Sequence, residues 1–255
     1  MNAPTQSASA RLIAIAADDA DAVRPRAADY WFRLRKTVLR RVDSRDRFVR
    51  SLIALVRADA ISGPCSIPGI EGNFSARDAA FANAALMASE ARLPIAAMVA
   101  AVAALVEEIH GDDIVAVHAV GFGLGVLDRL ERAAGAGMRA RGHFSEGLLG
   151  APAAAAAAGR MIGLSNAAMM DALGVSGSLA SGSREWHSGG DLLAGWMARS
   201  GILAARLAEE GFSGPAEVFE GRKGLFNGYA GPDQYTTEWL CADAASKPSS
   251  TQGHT

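Results

Sequence analysis

Alanine-rich apolar runs at helical spacing restrict the fold of this chain more than any other feature. Residues 148–158 consist almost entirely of alanine, leucine, glycine and one proline, and residues 93–106 are nearly as apolar. Alanine is the best helix former and lets neighbouring helices approach closely. The polar–apolar alternation typical of half-buried strands is almost absent. The pattern therefore predicts an all-α, multi-helix bundle.

Composition excludes several classes of function. The 255 residues carry a net charge of −2, so no strong field is available for nucleic acid or an anionic membrane. The apolar runs are shorter than the roughly 20 residues that span a bilayer, and the N-terminus lacks a signal-peptide pattern. Cys65 and Cys241 fit neither a disulfide framework nor a metal-ligand pattern. We expect a soluble cytoplasmic protein with no nucleic-acid or membrane partner.

The chain divides into three expected parts. Residues 1–26 should be flexible or partly ordered, residues 27–241 should form the helical domain, and residues 242–255 have the composition of a disordered tail. Within the domain, glycines and prolines predict a loop over residues 62–78. The glycines of GFGLG (121–125) follow a helical pattern rather than a strand, so they predict a close helix contact rather than a dinucleotide site.

Few side chains in the sequence are candidates for proton transfer or for binding a substrate carboxylate. His143 could act as a general base, because imidazole exchanges protons near neutral pH. Glu185 could orient the imidazole of His187 as an acid–base pair. Arg184 and Arg222 could bind a substrate carboxylate. Each of these residues could equally be an ordinary surface or turn residue. No cluster at ligand spacing predicts a metal site.

Five segments, in order along about two-thirds of the chain, are informative together: GPCSIPG (63–69), AAFANAAL (79–86), GDDIVAVHAVGFGLGVLDRL (111–130), LLGAPAAAAAAGRMIGLSNAAMMDALGVSGSLASG (148–182) and LLAGWMARSGILAARLAEEGFSGPAEVFEGRKGLFNGYA (192–230). They resemble the MmgE/PrpD family, whose members include 2-methylcitrate dehydratase, cis-aconitate decarboxylase and iminodisuccinate epimerase. The resemblance implies the family's large helical domain without its second, α/β domain. It also implies a lyase or isomerase that acts on small di- or tricarboxylates without a cofactor.

The sequence departs from the family pattern at three places. Where the family has an acidic run followed by His-Pro, this chain has ALMASEARLPIAAM (85–98), in which Glu90 is the only acid and a substrate-binding candidate. In GHFSEGLLG (142–150), His143 lies one place before the family histidine. Before the AGW motif, residues 190–193 replace a Lys-Arg-Leu-His run, although Glu185 matches a family glutamate.

Three hypotheses follow from these departures. The chain could be a dehydratase- or decarboxylase-type lyase, or an isomerase, with a rebuilt site around His143, Glu185 and His187. It could be a non-catalytic scaffold or partner subunit (a pseudoenzyme), or a half-enzyme whose second domain is a separate polypeptide. An apolar helical surface left by a missing domain would favour self-association, so we also predict a homodimer.

Overall fold

A computed structural model of the chain describes residues 7–38, 47–58, 62–183 and 190–240. Nearly all secondary structure in these ranges is helical, which confirms the predicted all-α class. The α-helices, in chain order, are α1 (Ala8–Asp18), α2 (Ala20–Leu34), α3 (Arg47–Ala58), α4 (Ala76–Met87), α5 (Leu93–Ile109), α6 (Asp113–Leu130), α7 (Ala136–Ala140), α8 (Ser145–Met161), α9 (Asn166–Ser178) and α10 (Gly190–Glu209). Short π-helical turns cover Glu131–Gly135 and Phe226–Ala230, and a 3-10 turn covers Glu238–Leu240.

Helix α8 is the centre of the bundle. It packs against α5, α6, α9 and α10, and its residues 153–158 are completely buried alanines. A helix with four helical neighbours has no solvent-facing stripe, and small side chains let all four approach its backbone. This packing explains why the alanine run shows no amphipathic pattern.

Two glycines mark the closest helix contacts. A Cβ atom on Gly123 of α6 would lie 2.9 Å from the Ala153 carbonyl oxygen, and one on Gly201 of α10 would lie 2.7 Å from the Ala154 carbonyl carbon. Side chains at these positions would collide with the backbone of α8. The prediction that the GFGLG glycines admit a neighbouring helix is confirmed at Gly123.

The segment predicted as a loop over residues 62–78 is partly a β-hairpin, so that prediction was wrong. Strand β1 (Cys65–Ile67) pairs antiparallel with β2 (Ile70–Phe74). Gly69 makes the turn with a positive φ of 82°, a conformation that glycine adopts without strain. The strands are too short for alternation to be recognised in the sequence. Helix α4 also begins inside the predicted loop, where Ser75 caps it.

The helical part of the chain begins before the predicted boundary at residue 27, which lies within α2. Helix α1 starts after the cap residue Ser7 and buries Leu12 and Ala16, and it packs on α6. The sequence does not mark α1 clearly, because the helix is short and its few large apolar residues lie among alanines. The tail predicted over residues 242–255 lies outside the described residues.

Candidate functional site

His143 lies in the turn between α7 and α8, and its imidazole ring contacts Tyr229. The two ring centroids are 5.1 Å apart and the ring planes are at 88°, an edge-to-face arrangement. The His143 main-chain N–H donates to the Met138 carbonyl over 2.9 Å, which fixes the turn at the end of α7. Both side chains are half-buried. This contact holds the imidazole against a phenol that has its own exchangeable proton.

Tyr229 lies in the wall of a cleft of about 550 Å³. The cleft separates the C-terminal end of α9 from the loop after α10, and Ser178 and Lys223 also line it. Lys223 is exposed. The cleft thus presents an ammonium, a hydroxyl and a phenol, and the phenol ring contacts the imidazole of His143. An ammonium can bind a carboxylate, and an imidazole and a phenol can transfer protons.

Neither Arg222 nor Glu90 lines this cleft. Arg222 is exposed and immediately precedes Lys223, in the loop that Asn227 stabilises by donating to the Glu220 and Gly221 carbonyls. Glu90 is exposed in the turn after α4, where its main-chain carbonyl accepts a hydrogen bond from Arg33. Within the described residues, Arg222, Glu90 and His143 make no hydrogen bond or ion pair with one another.

The other three candidates, Arg184, Glu185 and His187, lie outside the described residues. The residues just before Arg184 are described, and one of them, Gly182, forms a hydrogen bond with the residue that follows His143. The Phe144 N–H donates to the Gly182 carbonyl over 3.0 Å. The residue after His143 is therefore hydrogen-bonded to the residue two positions before Arg184.

A network of ion pairs surrounds the N-terminal end of α8, next to His143. Arg92 donates to Glu146 over 2.7 Å, and Arg139 donates to Glu131 over 2.8 Å. Arg92 also lies 3.6 Å from Glu131, which joins the two pairs. Ser145 accepts from Arg139 and donates to Glu131. We call these residues (Arg92, Glu131, Arg139, Ser145, Glu146) the α8 ion network.

The charges of the α8 ion network balance one another. Two guanidinium groups face two carboxylates, of which Glu131 is only 14% exposed. Burial of Arg92 lowers its pKa, but the hydrogen bond that it donates to Glu146 and the charges of Glu146, Glu131 and Asp128 outweigh that effect and raise the pKa above its ordinary value. Arg92 therefore remains charged, and its charge is neutralised within the chain.

Sequence reasoning missed Tyr229, Lys223 and the α8 ion network. Lys223 was next to a candidate, and Tyr229 lay in a segment that resembles a known family. No local signal joins Arg92, Glu131 and Glu146, because they come from three different elements. Glu131 begins a π-helical turn, an irregularity that is often found at functional sites but that sequence periodicity does not reveal.

In the described part of the chain, no helix is both long enough and apolar enough to cross a membrane. Residues 44–238 match the family model described as the MmgE/PrpD N-terminal domain. Comparison with curated proteins gave no match. The family match covers α3 to α10, the hairpin, His143 and Tyr229.

Proposed function

This chain belongs to the MmgE/PrpD family, and on that premise we propose that it is a cofactor-independent lyase or isomerase acting on a small di- or tricarboxylate. Its site is rebuilt around His143. The observation that carries the proposal is the edge-to-face contact between His143 and Tyr229, beside a cleft that also presents Lys223.

The proposed chemistry begins with proton abstraction beside a carboxylate. The imidazole of His143 takes the proton from the carbon next to the carboxylate, and the electron pair moves into that carboxylate as an enediolate. Lys223 and Arg222, neighbours on one loop, stabilise the added charge. Return of a proton to the same carbon gives isomerisation or exchange. Departure of a β-hydroxyl group, with Tyr229 donating its proton, gives dehydration.

Glu185, His187 and Arg184 enter this proposal as the second part of the site. The hydrogen bond from Phe144 to Gly182 supports that role, because it ties the residues before Arg184 to the residue after His143. In this arrangement Glu185 orients His187 as a second proton carrier, and Arg184 binds a second carboxylate of the substrate. Glu90 is a weaker substrate-binding candidate, since it is exposed and its carboxylate would repel an anionic substrate.

The proposal is tested by deuterium uptake. Methylcitrate, aconitate and iminodisuccinate are each incubated with the protein in D₂O and followed by proton NMR. We expect exchange or product formation that is lost in His143→Gln and kept in His118→Gln, a half-buried helical histidine. No exchange or turnover with any of these carboxylates would count against the enzyme and for the alternative below.

The alternative is a non-catalytic scaffold or partner subunit, and the α8 ion network favours it. In a site for a tricarboxylate the cations should be available to the substrate, whereas Arg92 and Arg139 are already paired with Glu146 and Glu131. Replacing the carboxylates that pair with Arg92 and Arg139 separates the two proposals. If Glu146→Gln creates or increases carboxylate binding, the α8 ion network is an anion site that its own glutamates block.

We also propose self-association. Three large apolar side chains are exposed around the turn between α5 and α6, namely Ile109 (41%), Ile114 (66%) and Val115 (43%). Contiguous exposed apolar residues often mark an interface. A homodimer through this turn would bury them, and a separate partner subunit could cover the same residues.

A further inference from the structure

A second cleft, of about 460 Å³, lies between α3, α4 and α10. Its walls are mainly apolar: Leu55, Phe81, Leu192, Leu193 and Trp196 line it. Ligand pockets typically have volumes of roughly 300–1,000 Å³ and mostly apolar walls with a few polar groups. No residue lines both this cleft and the cleft that contains Tyr229.

Two large apolar side chains at this cleft are exposed to solvent. Leu55 of α3 is 50% exposed and Trp196 of α10 is 47% exposed. Each would gain free energy by contact with apolar surface, and an indole ring offers a large and rigid contact area. Their convergence on one cleft favours an occupant with an apolar body.

One charged pair lies in the wall of the same cleft. Arg199 Nη1 is 3.2 Å from Asp78 Oδ1, and the Arg199 side chain is 46% exposed. A guanidinium has five N–H donors, and this ion pair occupies only one of its nitrogens. Within the described residues Arg199 has no other hydrogen bond or ion pair.

The carboxylate of Asp78 is partly compensated by its own helix. Ser75 donates to Asp78 Oδ2 over 2.7 Å, and Asp78 lies in the first turn of α4, where the helix dipole favours negative charge. Arg199 therefore shares the Asp78 carboxylate with Ser75 and contacts it through one nitrogen, whereas Arg92 contacts two carboxylates through two nitrogens. A single carboxylate is matched to the remaining donors of Arg199, because a guanidinium binds carboxylates in a bidentate geometry.

We infer that this cleft binds an amphipathic monocarboxylate with an apolar tail, such as a medium-chain fatty acid. The carboxylate pairs with Arg199, and the tail lies against Trp196, Leu55 and Phe81. This ligand differs from a small polycarboxylate, which could not bury a tail. The inference does not depend on the assignment of His143 as the base, since neither His143 nor Tyr229 lines this cleft, although Ser181 and Ser183, which precede Arg184, do line it.

The test is calorimetric titration of the full chain with hexanoate, octanoate and decanoate, below their micellar concentrations. Each buried methylene should tighten binding roughly fourfold, the factor that corresponds to the transfer free energy of one CH₂ group. Arg199→Met should weaken decanoate binding by about tenfold or more, the loss of a charge-assisted hydrogen bond, and should leave decanamide binding unchanged.

Two further variants keep the inference falsifiable. Arg77→Met is the matched control, because Arg77 is exposed on α4 but does not line this cleft, and decanoate binding should be unchanged. Leu55→Asp alters an exposed position, so the fold should survive, and it should weaken decanoate by repulsion and lost contact. Circular dichroism and a thermal melt check that each variant is folded.

Three results would overturn the inference: no binding of decanoate, binding that does not increase with chain length, or binding unaffected by Arg199→Met. A dimer that dissociates in Leu55→Asp without any fatty-acid binding would assign the cleft to a second copy of the chain instead. Deuterium uptake by polycarboxylates is measured separately, so failure here leaves the catalytic proposal standing.

Discussion

Ser145 donates a hydrogen bond from Oγ to Glu131 Oε1 over 3.1 Å, and it does so from the first turn of α8, two residues after His143. Ser145 is only 2% exposed, and it also accepts from Arg139 over 2.8 Å. The hydroxyl thus ties the start of the central helix to the π-helical turn after α6.

We predict that Ser145→Ala destabilises the protein by about 1–3 kcal/mol, because it leaves the carboxylate of Glu131 with one donor fewer in a nearly buried position. Urea denaturation measures the change. Ser176→Ala is the matched control: Ser176 is equally buried, but its hydroxyl donates only to the Leu173 carbonyl of its own helix. Equal losses in the two variants would show that the α8 ion network has no special role.

The close contact between α10 and α8 gives a second prediction. Gly201→Val should cost about 1–3 kcal/mol or prevent folding, because even a Cβ would lie 2.7 Å from the Ala154 carbonyl carbon. Thermal melting followed by circular dichroism measures the effect. Gly228→Ala is the control, since no atom lies within 4 Å of the position a Cβ would take there. It should change stability by less than about 0.5 kcal/mol. A stable Gly201→Val variant would contradict the packing of α10 on α8.

Cys65 should be unreactive in the folded protein. It is completely buried, its thiol donates to the Ala104 carbonyl over 3.2 Å, and burial together with the charges of Glu107 and Glu108 raises its pKa from 9.0 to about 12. The thiolate is the reactive form. In a Cys241→Ser variant, we expect no reaction with a disulfide reagent at about pH 8 until the protein is unfolded. A fast reaction under native conditions would contradict this burial.

The same pKa shift predicts a dependence of stability on pH. The folded protein holds the thiol proton more tightly than the unfolded chain, so this contribution is fully present below pH 9.0 and is lost as the pH rises toward about 12. The free energy of unfolding should fall by at most about 1.4 kcal/mol per pH unit from this group. In Cys65→Ala, this contribution to the decrease of the free energy of unfolding with pH should be absent. Identical slopes in the parent protein and the variant would contradict the raised pKa.

Self-association is tested at the exposed turn between α5 and α6. We expect sedimentation of the parent protein to show a dimer at micromolar concentration, and Ile114→Glu to give a monomer with the same circular dichroism spectrum. The reason is that a charged carboxylate in an apolar interface would lose its hydration. Trp196→Glu is the control, because Trp196 is 47% exposed and lies nearly three helical turns along α10 from Arg206, the α10 residue that pairs with Glu108 beside Ile109. A monomeric parent protein, or a dimer in both variants, would contradict the proposed interface.

The main helices were predictable from the sequence because their boundaries have local signals. Pro94 lies in the first turn of α5, Asp112 caps α6 by accepting from the Ile114 and Val115 N–H groups, and Ser165 caps α9. The C-terminal end of α9 was not predictable. It continues through Gly174 and Gly177 to Ser178, and both glycines lie against the segment 214–218. Contacts with residues 214–218, which are distant in sequence, therefore determine where α9 ends.

The candidate site was predictable only in part. His143 could be recognised by its side-chain chemistry, but its partner Tyr229 is 86 positions further along the chain and reaches it only because the π-helical turn over residues 226–230 packs on α7. Pairing between Arg92 and Glu146 likewise depends on the meeting of the α5 and α8 N-terminal ends. Such contacts are set by tertiary packing, and one sequence contains no periodicity that reports them.

The central claim, that His143 acts as a proton carrier on small carboxylates, is tested most directly by proton NMR in D₂O. The parent protein, His143→Gln and Tyr229→Phe are compared on methylcitrate, aconitate and iminodisuccinate, with His118→Gln as the control. We predict deuterium uptake or turnover in the parent protein and in His118→Gln, a loss of at least about 100-fold in His143→Gln, and a smaller loss in Tyr229→Phe. Activity that is undiminished in His143→Gln would contradict the assignment of the base. No uptake by the parent protein with any of these substrates would contradict the catalytic account and favour the non-catalytic subunit.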